Sequence, residues 1–213
     1  MTRRLAFIIA TIAALAALVG VARAAESVPG PSPQELIETT ARRLLEALDA
    51  DRELARKDPA RVRNLVDEIL LPHFDTDYSA RLVLGKHWRT ATPEQRQRFI
   101  DAFYQSLLRN YGAALAEFTA DRMTVLPFRG DVSSGQASVR TEVKRSNGQR
   151  VPVNYTLRAT PGGWKAWDVT IEGISYVRNF RNDVGAEVDQ TGLPAVIERL
   201  EKENRGGAAK TAR

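Results

Sequence analysis

Two histidines, His73 and His87, invite the first chemical question, because imidazole serves both metal binding and acid–base catalysis. In "PHFDTDYS" (residues 72–79) Asp75 and Asp77 follow close behind His73. A metal site would need such carboxylates, since the chain of 213 residues contains no cysteine. The spacing fits no recurrent ligand pattern, and Asp75 or Thr76 reads instead as the cap of a following helix. Nucleophilic catalysis finds no G-x-S-x-G to build on. Ser133-Ser134-Gly135 and Ser146-Asn147-Gly148 have the composition of turns. Neither a phosphate loop nor G-x-G-x-x-G occurs. An Asp base with a Tyr oxyanion donor can run proton transfer in a small α+β cone, and Asp168 and Tyr155 are the candidates. Strict strand alternation sets Trp167, Val169 and Ile171 on one face and Trp164, Ala166, Asp168, Thr170 and Glu172 on the other. Tyr155 belongs to the apolar set, so the two groups do not face one cavity. Asp168 reads as an ion-pair or exposed sheet position, and the chain as no enzyme.

The elements that could position any site begin after a leader. "MTRRLAFIIATIAALAALVGVARA" carries Arg3 and Arg4, an apolar run from Leu5 to Val21, and Ala22-Arg23-Ala24. This is the layout of a secretory signal peptide over residues 1–24, cleaved near Ala24. Without cysteine the exported chain has neither a lipid anchor nor disulfides, so core packing must hold a single domain. Removing three arginines lowers the net charge from +5 to +2. No basic stripe interleaved with aromatics appears, so nucleic acid is not a partner.

Residues 25–32 form a short leader. Ser32-Pro33-Gln34-Glu35 is a capping box, opening a helix with Leu36, Ile37, Thr40, Leu44, Ala47 and Leu48 on one side. Asp58-Pro59 starts a second helix that Pro72 stops. Thr76–Leu84 forms a third, ended by Gly85. Thr92-Pro93-Glu94-Gln95 caps a fourth, whose wide stripe includes Phe99, Phe103, Leu107, Leu108 and Tyr111. Past Phe118 the period changes to two. Strands are predicted over Met123–Phe128, around Ala137–Val143, over Val151–Leu157 and over Trp164–Ile171, with Asn147-Gly148 as a hairpin turn. From Ile174 the spacing is helical again, Gly192 breaks it, and Leu193–Leu200 closes the domain at 33–203. Residues 204–213 read as a disordered tail. The class is α+β: N-terminal helices on a curved antiparallel sheet of four to five strands, with closing C-terminal helices.

Two stretches carry a family resemblance. Residues 72–115 match P-x-F-D-x-x-x-x-x-R-x-x-L-G-x-x-W-R followed by T-x-x-Q-x-x-x-F, through Pro72, Phe74, Asp75, Arg81, Leu84, Gly85, Trp88, Arg89, Thr92, Gln95 and Phe99. "VPVNYTLRATPGGWKAWDVTIEGISYVRNFRNDV" (151–184) supplies V-x-Y and then W-K-x-x-D-V-x-I-E-G-I-S. The chain resembles the MlaC family, the toluene-tolerance auxiliary proteins, over about Pro33 to Leu200. His87 stands where an aromatic is more usual.

The resemblance implies an NTF2-like-related fold with an internal apolar cavity. It also implies a soluble periplasmic carrier of glycerophospholipid, with no cofactor beyond this cargo. Its expected partners are an inner-membrane Mla ABC transporter and an outer-membrane lipoprotein–porin complex, and the carrier is expected to be a monomer that maintains outer-membrane lipid asymmetry. The inward-facing sets then become cavity walls: Val139, Val151, Val153, Tyr155, Trp167, Val169 and Ile171 from the sheet, and Phe103, Leu107, Leu108, Tyr111 and Val177 from helices. Arg81, Lys86 and Arg89 become candidates for head-group or partner contact. A module for another apolar ligand, such as a hopanoid or quinone, remains open on the residues alone, as does an NTF2-like enzyme.

Overall fold

The computed structural model describes residues 28–50, 58–115, 123–145 and 148–211. The expected signal peptide, residues 25–27 of the leader and Asn147 lie outside the described residues.

Helix α1 (Pro33–Ala50) starts at the expected box: the Ser32 N–H donates to Glu35 Oε2 at 2.9 Å, and the Glu35 N–H donates to Ser32 Oγ at 3.3 Å. Its buried face includes Leu36, Ile37, Leu44, Leu45 and Leu48. Asp58 caps α2 (Pro59–Leu65) through the Ala60 N–H. The chain then widens into a π-turn, Val66–Leu70, and tightens into a 3-10 turn, Leu71–His73. Sequence periodicity alone reads this stretch as one helix, because a π insertion leaves the apolar composition unchanged. Asp75 caps α3 (Thr76–Leu84) by accepting from the Tyr78 N–H at 3.1 Å, and Gly85 ends it with φ 53°. A short α4 (His87–Thr90) leads to α5 (Pro93–Leu115), where Thr92 and Gln95 form the second box.

The sheet is an antiparallel meander in the order β1 (Met123–Val125), β2 (Gln136–Lys144), β3 (Arg150–Thr160), β4 (Gly163–Ile171), β5 (Ile174–Ser175). β1 is shorter than the predicted Met123–Phe128; past it, Leu126 N–H makes one further bond to Arg140 O. Ile174 does not begin a helix. It pairs with Ile171 in β5 and is 60% exposed, and α6 (Tyr176–Thr191) starts after it.

The strict alternation expected of β4 is also corrected. Ala166 pairs with Leu157 and Asp168 with Thr156, so Trp167 is an extra, bulged residue. The bulge resets the phase. Trp164 and Ala166 pair with Ala159 and Leu157, and Val169 and Ile171 with Tyr155 and Val153, so all four share the face of β3's odd-numbered residues. Long-range contacts hold the bulge: Ser79 Oγ donates to Trp167 O at 2.6 Å, and Asp75 N–H donates to Ala166 O at 2.7 Å. Thus α3 docks by its N-terminus on the edge of β4.

The final helix α7 (Leu193–Thr211) extends through most of the expected disordered tail. Asn204, predicted to open that tail, donates to Ala102 O at 2.9 Å and accepts from Arg109 at 3.0 Å. Those contacts to α5 are long-range and invisible in local composition. α3, α5, α6 and α7 enclose one core around Val83, Leu84, Phe99, Val196 and Ile197. α1 and the sheet share a second, around Leu36, Ile37, Val139, Leu157 and Trp164.

Candidate apolar cavity

Between these cores lies a cavity of about 490 Å³, within the roughly 300–1,000 Å³ of ordinary ligand pockets. Its walls follow from the periodicities. α1 contributes Ile37, Ala41, Leu44 and Leu45, four positions at helical spacing. β3 contributes Val151, Val153 and Tyr155, alternate residues of one strand face, and β4 adds Val169 and Ile171 past the bulge. α5 supplies Ile100, Phe103, Tyr104, Leu107 and Leu108. The first turns of α6 supply Tyr176, Val177 and Phe180. The ring of Phe180 meets that of Phe103 edge-on at 5.1 Å, closing the α5–α6 side.

Few polar groups reach this wall. Asp168, expected at an ion pair or an exposed position, is instead buried at 6% exposure. Its Oδ1 accepts from the Val177 N–H at 3.0 Å and its Oδ2 from Ser175 Oγ at 2.6 Å. The carboxylate borders the cavity, but both oxygens serve the N-terminus of α6. Tyr104 Oη donates to Asp67 Oδ1 at 3.0 Å; burial, and then that carboxylate, raise its pKa. Burial alone pushes the Tyr155 phenol up to about 12. His73 also lines the cavity, and burial followed by repulsion from Arg43 and Lys165 lowers its pKa below the usual imidazole value. Arg145 is the one Lys or Arg on the wall among the described residues; it faces Glu172 at 3.5 Å. Among the described residues, no three His, Cys, Asp or Glu side chains gather as a metal ion would require. None of their helices is long and apolar enough to cross a membrane. What the walls can do is enclose an apolar molecule.

Ten of the twelve predicted wall residues line this cavity. Val139 does not: at 1% exposure it packs into the α1–sheet core, because inward alternation cannot tell core from cavity. Tyr111 belongs to α5, but its side chain lies outside those described. Arg81, Lys86 and Arg89 are exposed and absent from the wall; Lys86 pairs with Asp189 at 2.8 Å. Periodicity missed the share taken by α1, the π-turn residues Val66 and Leu70, and Arg145. Their only sequence signal was amphipathicity, which core and cavity share.

Fold and site together define an α+β protein with a five-stranded antiparallel sheet, helices packed against it and an apolar pocket between them. Residues 38–202 match the family described as MlaC protein, and the chain belongs to that family. It is 34% identical to toluene tolerance protein Ttg2D of Pseudomonas putida over 167 residues, 78% of this chain and 77% of that one. It is 24% identical over 176 residues to the intermembrane phospholipid transport system binding protein MlaC of Haemophilus influenzae, covering 80% and 81% of the two chains. A solved structure of a phospholipid-binding protein from Ralstonia solanacearum, in complex with a phospholipid, superposes with a TM-score of 0.76 at 28% identity. That match covers 84% of this chain and 99% of the other.

Proposed function

We propose that this protein is a phospholipid-binding transport protein that holds acyl tails in the cavity between sheet and helices. The observation that carries the reading is the cavity itself: about 490 Å³, almost wholly apolar, in a chain whose relatives are named for phospholipid binding and transport. It acts in the periplasm after loss of its signal peptide. There it shuttles glycerophospholipid between an outer-membrane lipoprotein–porin complex and an inner-membrane ABC transporter, and so maintains outer-membrane lipid asymmetry.

The physics requires such a container. Exposing two acyl chains of roughly 30 methylenes costs roughly 24 kcal/mol at ~0.8 kcal/mol each, so unaided transfer through water is negligible. The walls need no cofactor and no covalent step. Aliphatic walls discriminate weakly between tails differing by a methylene, so tail specificity is loose. The same affinity opposes release, so docking to a partner must open the sheet–helix clamp or offer a continuous apolar path.

Native mass spectrometry of the exported protein, with lipid extraction of the same sample, tests this reading. Near-stoichiometric glycerophospholipid is expected. It should be lost when Leu107→Trp or Val153→Trp fills the cavity. A protein that is empty and stays empty after incubation with liposomes refutes the carrier; a co-purified hopanoid or quinone would replace its cargo.

A further inference from the structure

Some polar groups on the cavity wall are committed to protein partners. Asp168 serves α6, Ser79 Oγ donates to Trp167 O, and Tyr104 Oη donates to Asp67. Tyr155 is not committed. It stands mid-strand on β3, opposite Val169, packed against both apolar clusters of the sheet and lining the cavity. Its hydroxyl has no hydrogen-bond partner among the described residues, and burial is the sole cause acting on its ionisation. Among the described residues, Arg61 Nε and Trp167 Nε1 are polar atoms sealed from solvent without a hydrogen-bond partner, whereas Tyr155 Oη is not sealed in this way. Tyr155 is half-buried and lines the cavity, so its unpartnered hydroxyl is open to a group held there. The phenol stays protonated throughout the working pH range, so it is a standing donor. Buried tyrosines normally find an acceptor, and this one awaits an acceptor on the ligand.

Taking the lipid-carrier reading as given, the chemistry of the cargo limits what that acceptor is. Behind its phosphate, a diacyl glycerophospholipid carries no acceptors except its ester oxygens; the rest is hydrocarbon. We propose that Tyr155 Oη donates to an ester carbonyl of the bound lipid. It thereby sets how deep the glycerol sits against β3 and makes the cavity prefer diacyl over dialkyl-ether lipids of equal chain length.

The test is a double-substitution cycle. Binding of a diacyl phosphatidylglycerol and its dialkyl ether analogue is measured on the wild-type protein and on Tyr155→Phe, which keeps the ring and removes the donor. The wild type should favour the ester lipid by roughly three- to tenfold, as one neutral hydrogen bond allows, and Tyr155→Phe should bind the two about equally. An ester preference that survives the substitution, or no preference in the wild type, overturns the proposal while leaving the carrier intact. Binding of neither lipid by the wild type defeats the carrier reading itself. A second readout needs no variant. In the infrared, the carbonyl stretch of bound ¹³C-carbonyl-labelled lipid should fall to the hydrogen-bonded position, and a band at the apolar-solvent position overturns the assignment.

Discussion

Asp168→Ala is the perturbation whose cost the structure states most directly. The carboxylate accepts from the Val177 N–H and from Ser175 Oγ, and Ser175 Oγ in turn accepts from the Arg178 N–H at 3.1 Å. One side chain therefore satisfies a first-turn donor of α6 directly and holds the residue that satisfies another. A hydrogen bond to a charged group contributes about 1.5–3 kcal/mol, and the two are coupled through Ser175, so we expect alanine to cost about 3 kcal/mol rather than the full sum. Asp168→Asn keeps an acceptor for Val177 and should cost about 1 kcal/mol. At roughly 2–4 °C per kcal/mol for a chain of this size, the melting shifts are about 6–12 °C and about 2–4 °C. Urea unfolding gives the free energies, and amide exchange at Val177 and Arg178 locates the loss. Because Tyr176, Val177 and Phe180 form one wall of the cavity, lipid retention should fall with α6 anchoring. An alanine variant within about 1 kcal/mol of wild type, with unchanged exchange at those amides, would refute the capping argument.

Two further outcomes follow from single residues. His73 has its pKa lowered, first by burial and then by Arg43 and Lys165, so its neutral form is favoured by folding. Its contribution is present above the unfolded imidazole value of about 6.5 and is lost as pH falls towards the folded pKa, because the unfolded chain then binds the extra proton. His73→Gln should flatten the fall in melting temperature on acidification below about pH 6.5; an unchanged slope refutes it. At Gly163 (φ +109°) an added Cβ would lie 2.9 Å from Pro29 O, whereas at Gly148 (φ +85°) it meets nothing within 4 Å. Both alanine variants carry the strain of positive φ, so Gly163→Ala should cost at least about 1 kcal/mol more in urea unfolding than Gly148→Ala; equal costs would mean that the leader segment at Pro29 simply yields.

Local chemistry made much of the fold legible. Ser32 with Glu35, Asp58, Asp75 and Thr92 with Gln95 each declared a helix start, because a cap is a contact between residues two or three apart. The alternation of Val151, Val153 and Tyr155 declared a strand face. Tertiary contacts hid the rest. The bulge at Trp167 is stabilised by Ser79 and by the edge contact at Ala166, far away in sequence. Reading β4 without it left Asp168 correctly on the face opposite Val169 and Ile171 but split Trp164 and Ala166 from them. Asn204 looked like the start of a loose tail because its partners, Ala102 and Arg109, lie on another helix. The cavity was partly legible for the same reason. An inward apolar residue is equally suited to core and to cavity wall, and only the positions of α1 and α6 decide that Val153 lines the space while Val139 is packed solid.

That division bears on how the molecule tolerates its own interior. Left unfilled, a pocket of about 490 Å³ forgoes packing contacts that a solid core would make. The cost cannot be met by the walls, which are partly exposed along Tyr155, Val169 and Ile171. It is met elsewhere. Phe99, Val83, Leu84, Val196 and Ile197 are at most 1% exposed and join α3, α5, α6 and α7 into a closed core that backs one wall of the cavity. α5 belongs to both regions: Phe99 faces the closed core, and one turn on Phe103 reaches the cavity while stacking on Phe99 at 5.5 Å. For a proposed carrier this arrangement predicts that emptying the cavity lowers amide-exchange protection in α1 and the sheet before it does so in the closed helical core.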